Sequence, residues 1–356
     1  VQVINAQMAG MLIGGIVWGV IGDKFGRLSV LFASIFLYSI ANIANGFITS
    51  TEQYAVLRFI GGFGLAGELG AGVTLASELL PKNIRGLGTS FISFIGFMGG
   101  AAAALVGGMI EWRHAYLVGG VLGFILLAMR LGVCESGMYK KVSAEGQGAS
   151  RGDFLLFFKN TAMFLKYLRV ILIGAPIWAV IGIFITFTHE FAKDFGMDVL
   201  PTGSQAVFYF YAGGALGGFL IGLLSQRMQS RKKSIIAYLL IVLATLLLFV
   251  LTRAHSLALY YFICSLFGFS TGYWAMFIQV GAEQFGTNIR ATAATTVPNF
   301  VRGLTIPMTI AFHGLIPAMG VTMSGFIVIG GAIVLAMLAL WKTEETFHKD
   351  LDYIER

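Results

Sequence analysis

Eleven stretches of about twenty predominantly apolar residues follow one another along this chain, and no other feature restricts its fold as much. They run approximately over 1–21, 29–49, 53–80, 86–110, 115–134, 168–189, 204–226, 234–252, 256–282, 291–317 and 321–341. Each is long enough to cross a hydrocarbon layer of about 30 Å as a helix. Lipid offers no partner to a backbone N–H or C=O, so a segment at that depth must satisfy its own, which an α-helix does. Composition agrees: 57% of residues are hydrophobic and 12% are charged, against about 25% charged in soluble domains. A mean hydropathy of +0.83 leaves too little polar surface to clothe a water-soluble body. The chain therefore reads as an all-α membrane protein. Its 47 glycines do not oppose helix, because glycine lets helices approach closely in lipid. Gly96, Gly100, Ala104 and Gly108, and again Gly214, Gly218 and Gly222, recur every four residues as candidate packing seams.

Charge placement predicts orientation. Of the 24 lysines and arginines, eighteen fall on one set of connections and only Arg113, Lys193 and Arg253 on the other. Short cytoplasmic loops retain basic residues, so the first set is expected inside the cell, together with the C-terminus. The net charge of +7 thus reads as membrane topology, and no nucleic-acid partner is expected. Cys134 and Cys264 lie in or beside apolar runs and form no disulfide or metal pattern, and no cofactor is expected.

One long polar interruption, 135–166, separates an N-terminal bundle at 1–134 from a C-terminal bundle at 167–341, with a tail at 342–356. Within it "SAEGQGASRGD" has a flexible composition, and "FLLFFKNTAMFLKYLRV" mixes apolar and basic residues as an interfacial helix would. The two bundles share a phrase. "SELLPKNIRG" carries Glu78 and Arg85, and "AEQFGTNIRA" carries Glu283 and Arg290, 205 positions later. "GVIGDKFGRLS" at Gly19 and "GLLSQRMQSRKKS" at Gly222 form a second matching pair. Parallel repeats of this kind mark two pseudo-symmetric bundles that rock against each other, the architecture of a secondary transporter.

At these residues the chain resembles the major facilitator superfamily, whose loop between helices 2 and 3 reads G-x-x-x-D-[RK]-x-G-[RK]; Gly19, Asp23, Lys24, Gly26 and Arg27 match it. Arg58, Gly61 and Gly64, "WRHAY" from Trp112 and the tail "EETFHKDLDYIE" are also similar to the superfamily. The resemblance implies the major facilitator fold, with eleven of an expected twelve spans, the first span here corresponding to helix 2. "GLAGELGAG" around Glu68 resembles metabolite:proton symporters, and the repeated phrase resembles sugar and organic-acid porters. "GFMGGAAAALVGG" lacks the glycine-proline motif of drug antiporters, which lowers the exporter reading.

Three groups of residues are candidates for the work. Asp23, Lys24, Arg27, Glu78 and Arg85, with Arg227, Glu283 and Arg290 in the second copy, stand where helices leave the membrane and can latch a gate by making and breaking ion pairs; the alternative is loop charge that enforces topology. Glu68 lies midway through its span and is the candidate proton-coupling residue, with a permanently protonated packing acid or a static pair with Arg58 or Arg302 as competing readings. Arg302 shares a helix face with Thr295, Asn299, Thr305, Thr309 and His313 and suits an anion held bidentately, unless it pairs structurally with Glu68. Pro298 and Pro307 are expected to bend that helix. Gln279, Trp274 and Tyr209 are the accompanying substrate-site candidates, beside Gln205 and Tyr273.

The expected function is proton-coupled symport of a small organic solute, foremost an organic anion, by alternating access. A sugar or other neutral metabolite is the alternative, and a drug or metabolite exporter a weaker one. No catalytic constellation, nucleophile elbow or nucleotide loop is present in the sequence, so the chain is not read as an enzyme. Its expected partners are the solute, protons and the lipid bilayer, and it is expected to act as a monomer in a bacterial inner membrane.

Overall fold

A computed structural model describes residues 2–81, 84–130, 151–347, 349–350 and 353–355. Every regular element among them is helical. Five helices form the N-terminal bundle: α1 (Gln2–Phe25), α2 (Arg27–Asn45), α3 (Thr51–Leu79), α4 (Arg85–Met109) and α5 (Trp112–Met129). The C-terminal bundle comprises α6 (Thr161–Ala179), α7 (Thr188–Asp194), α8 (Gly203–Met228), α9 (Arg231–Thr252), α10 (Leu257–Thr271), α11 (Trp274–Gln284), α12 (Arg290–Gly303) and α13 (Thr305–Trp341). Ten described helical segments are long and apolar enough to cross a membrane. The last, Arg290–Trp341, is two crossings, because Gly320 at φ 76° breaks it. That break stands where the sequence places a connection, between 317 and 321.

Most of the expected interruption, 135–150, lies outside the described residues. The part that follows is not one interfacial helix. A 3₁₀ turn at Phe154–Phe158 stops at Lys159, and α6 starts at Thr161 with Asn160 accepting from the Met163 N–H at 2.8 Å. The crossing thus begins inside the range expected as loop.

The bundles meet along two seams. α1 packs on α12, and α4 packs on α8. On the second seam a Cβ at Gly100 would stand 2.5 Å from the Tyr211 ring, one at Gly214 would meet Phe97 and one at Gly222 would meet Ser90. The two predicted glycine stripes therefore face each other across the bundles, although Gly96 itself faces open space. On the first seam Gly15 admits Asn299, and beside it Gly70 of α3 admits Thr295 of α12. Large apolar side chains such as Phe91, Leu122 and Leu251 stand exposed on the outer faces, a cost in water that lipid removes.

Helix continuity differs between the halves. Pro81, between α3 and α4, is the one proline in the first 175 residues. The C-terminal bundle has three internal interruptions. Beyond Pro176, α6 widens into a π-helical turn over Val180–Ile185. The chain breaks at Gly272–Tyr273 between α10 and α11. It breaks again at Leu304, where Pro307 offers no N–H to the Gly303 carbonyl one turn earlier. The Pro307 bend expected from sequence is this break.

Candidate functional site

At one end of the molecule, charges from both bundles are buried together. Gly26 at φ 100° turns α1 into α2 within one residue, a conformation suited to glycine. The turn aims Asp23 and Arg27 at the second bundle. Asp23 accepts from the N–H groups of Ala291 (3.1 Å) and Thr292 (2.8 Å) and from the Thr292 hydroxyl (2.7 Å), a carboxylate on the N-terminus of α12. Arg27 lies 3.4 Å from Asp23, donates to Glu78 at 2.9 Å and reaches the Thr287 carbonyl at 3.3 Å. Arg290 donates to the same Glu78 oxygen at 3.3 Å. Glu78 is thus shared by an arginine from each half.

The repeat is only partly symmetric here. Glu283 and Arg290, expected as a pair, do not pair with each other. Arg290 crosses to Glu78, while Glu283 lies 3.6 Å from Arg231 and accepts from Gln279 at 2.6 Å. Gln279, a substrate-site candidate, also accepts from the Thr89 hydroxyl at 2.6 Å and so belongs to this charged layer. Arg227 is exposed on the last turn of α8. By the offset of 203 Arg227 matches Lys24, which is exposed as well, and the buried counterpart of Arg27 is Arg231, one residue beyond the matching position. Lys24 is exposed on α1, and Arg85 opens α4 with a side chain outside the described set.

The C-terminal tail closes the same end. Glu345 accepts from the backbone N–H of Arg231 (2.9 Å) and Lys232 (3.3 Å) and from the Ser230 hydroxyl, capping α9. Burial works to raise its pKa, but those bonds and one from the Phe347 N–H outweigh it and hold the carboxyl below the ordinary carboxylate range. Farther on, the Tyr353 carbonyl accepts from the Thr287 N–H at 2.8 Å, and Asn288 exchanges hydrogen bonds with the Glu355 backbone.

A second constellation lies deeper. At about 1.5 Å of rise per residue, Glu68 and Arg302 both stand roughly 16–18 Å from the charged ends of their helices. They do not pair with each other. Glu68 receives Arg130, the C-cap of α5, at 3.1 Å, beside the Tyr38 hydroxyl. This replaces both static partners considered from sequence, Arg58 and Arg302. Arg58 instead donates to Tyr116 at 2.9 Å and to Gln7.

Arg302 stands between two indoles, 5.4 Å from the Trp274 ring and 5.6 Å from the Trp178 ring. It donates to Asn299 at 2.9 Å, while its Nε is buried without a partner. No carboxylate among the described residues pairs with it. Tyr211 of α8 is within electrostatic reach. The cage coincides with the three interruptions: Trp178 precedes the π turn, Trp274 opens α11 after its break, and Arg302 closes α12 before the Leu304 break. That break also divides the polar face read from sequence. Thr295 and Asn299 turn towards the N-terminal bundle, where Asn299 donates to the Ala66 carbonyl at 3.2 Å, whereas His313 packs on Phe187. Tyr209 stacks on Tyr261 at 4.9 Å, and the Tyr273 hydroxyl donates to the Ile173 carbonyl. Sequence reasoning missed Trp178, Tyr211, Arg130 and Arg231. Pro176, two residues before Trp178, was the available signal for the first.

Two related helical bundles, a charged layer at one end and broken helices around a mid-depth guanidinium define a secondary transporter of the membrane. The chain belongs to the Major Facilitator Superfamily, whose family model matches residues 3–308. It is 25% identical over 314 residues to the putative niacin/nicotinamide transporter NiaP of Bacillus subtilis, covering 84% of this chain and 74% of that one. It is 32% identical over 150 residues to the 4-hydroxybenzoate transporter PcaK of Pseudomonas aeruginosa, covering 40% of this chain and 33% of that one. Among solved structures, the proton:xylose symporter XylE superposes with a TM-score of 0.79 at 19% identity, over 98% of this chain and 86% of that chain, which shows the shared fold.

Proposed function

We propose that this protein carries a small organic anion, foremost a planar aromatic carboxylate, together with protons by alternating access between its two bundles. The observation that carries the reading is Arg302: a guanidinium at mid-depth, flanked by two indoles, with a buried unpartnered Nε and no described carboxylate to neutralise it. An arginine at the bilayer centre costs about 2.5–3.5 kcal/mol on insertion scales, so retaining one without a counter-ion favours a ligand that brings the negative charge. A carboxylate meets the fork of donors, and its ring can stack on Trp178 or Trp274. Relatives named for niacin, 4-hydroxybenzoate and benzoate support that ligand class. Glu68 is the proton-coupling residue in this scheme, because Arg130 holds its anion and protonation releases that hold. In this reading the charged layer is the cytoplasmic gate in its closed state.

Calorimetric binding of benzoate to the purified protein tests the anion site. Arg302→Ala should weaken binding by at least about tenfold, since losing the charged partner of a desolvated anion costs about 2–5 kcal/mol. Arg302→Lys should recover part of it, having the charge without the planar fork. Normal affinity in Arg302→Ala, or equal binding of benzamide and benzoate, would end the anion reading. For coupling, Glu68→Gln in proteoliposomes should lose accumulation driven by a pH gradient yet keep solute exchange. Accumulation by that variant would remove Glu68 from the role.

A further inference from the structure

Where α13 reaches the charged end of the molecule, three cations from three helices gather around its last carbonyls. Arg169 of α6 donates to the Lys342 carbonyl at 3.1 Å, and Lys232 of α9 donates to the Trp341 carbonyl at 3.3 Å. Lys342 itself rests its ammonium over the exposed Trp341 ring at 5.2 Å. Cations at a helix C-terminus are ordinarily explained by the carbonyls they meet. Two observations exceed that explanation. The capping bonds use one donor each from Arg169 and Lys232 and none from Lys342, and no carboxylate among the described residues pairs with any of the three. Beneath them, Val334, Leu338 and Trp341 form an exposed apolar stripe at helical spacing, 58%, 54% and 74% exposed, leading from the cluster along α13 towards mid-membrane.

We propose that Arg169, Lys232 and Lys342 bind the phosphodiester headgroup of an anionic phospholipid, with one acyl chain along the Val334–Leu338–Trp341 stripe. Charge complementarity selects the headgroup: three positive side chains without counter-ions suit a phosphate carrying net negative charge and disfavour a zwitterionic lipid whose own ammonium would meet them. The stripe selects a lipid over a free anion, because a tryptophan at the end of a span sits at headgroup level with apolar surface continuing below it. Residues from α6, α9 and α13 join at this point, so a bound lipid ties three helices of the C-terminal bundle.

Native mass spectrometry of the delipidated full chain, titrated with phosphatidylglycerol or with phosphatidylcholine of the same acyl composition, tests this. Wild type should retain phosphatidylglycerol preferentially, and Lys342→Gln should lower that preference by about fivefold, the effect of one surface cation on an anionic leaflet lipid. Arg169→Gln combined with Lys342→Gln should remove it, whereas Arg169→Lys with Lys342→Arg should keep it and shows that the fold tolerates change there. Lys342→Gln removes no protein hydrogen bond, so a folding defect does not excuse a negative result. Equal retention of the two lipids by wild type, or undiminished preference in the double Gln variant, overturns the proposal. So does displacement of phosphatidylglycerol by inorganic phosphate at equal concentration, which would make the site one for a free anion.

Discussion

The two bundles descend from one repeated plan and differ in the continuity of their helices. In the N-terminal half α1 to α5 run unbroken, and the mid-depth acid Glu68 is held inside its own bundle by Arg130. In the C-terminal half three helices are interrupted at the level where Trp178, Trp274 and Arg302 meet. An unbroken helix satisfies its own carbonyls and offers lipid or a neighbour only side chains. A broken one leaves polar backbone that is stable at membrane depth where it faces protein or an aqueous cavity. On the proposed function, the difference would give the halves distinct work: solute contact in the C-terminal bundle, a chargeable side chain in the N-terminal one.

The largest expected effect comes from Glu78, the carboxylate that receives an arginine from each half. Glu78→Ala leaves Arg27 and Arg290 buried and facing each other, and removing one member of a buried ion cluster costs about 3–5 kcal/mol. That is enough to move a two-state equilibrium by a factor on the order of a hundred or more, so the charged end should open. A cysteine at Thr295, packed under Gly70 in the closed arrangement, reports opening by its alkylation rate in a chain with Cys134 and Cys264 replaced. Glu283→Ala should open the charged end less, because Arg231 belongs to the same bundle as Glu283 and the hydrogen-bonded link to α4 runs through Gln279 and Thr89. Equal alkylation in the two variants would mean that the repeat is functionally symmetric after all.

A smaller effect is expected from the glycine seams. A Cβ at Gly70 would stand 2.1 Å from the Thr295 hydroxyl and 2.4 Å from its Cα, against backbone that cannot yield without separating α3 from α12. Gly70→Ala should therefore disfavour closure by about 1–3 kcal/mol, the usual cost of overpacking, and speed alkylation at the charged end. Gly100→Ala meets the Tyr211 ring, a side chain that can turn aside, and should change accessibility less. If Gly100→Ala opens the gate more than Gly70→Ala, the α4–α8 seam carries closure.

Much of this was legible from residues alone, and the exceptions share a cause. Apolar length located the spans, and Gly320 falls where the pattern asked for a connection. The repeat located the charged layer, since Asp23, Arg27, Glu78 and Arg290 all meet in it. Sequence spacing cannot say which of several like charges pair, because partners 200 residues apart are chosen by how the halves dock. Thus Arg290 takes Glu78, and Arg231 rather than Arg227 enters the buried layer. The face from Thr295 to His313 was extrapolated through a helix that Pro307 interrupts, so its upper members turn elsewhere. Trp178 was passed over because a tryptophan in an apolar run ordinarily reads as packing.

The smallest effect is confined to one half. Glu345 caps α9, touching Ser230, Arg231 and Lys232, all within the C-terminal bundle. Loss of such a cap costs about 0.5–2 kcal/mol, so Glu345→Ala should lower thermal stability modestly and leave alkylation of the Thr295→Cys reporter unchanged. The dependence on pH has a definite sign. The carboxyl is held below its ordinary value in the folded protein, so its contribution is present above the unfolded value of about 4.3 and is lost as pH falls through the lower folded value. Wild type and variant should accordingly melt apart by a constant interval between about pH 6 and 8 and converge in acid below about pH 4. A gap that widens in acid would show that Glu345 stabilises the fold through something other than its charged form, and a gate that opens in Glu345→Ala would show that the tail acts on both halves.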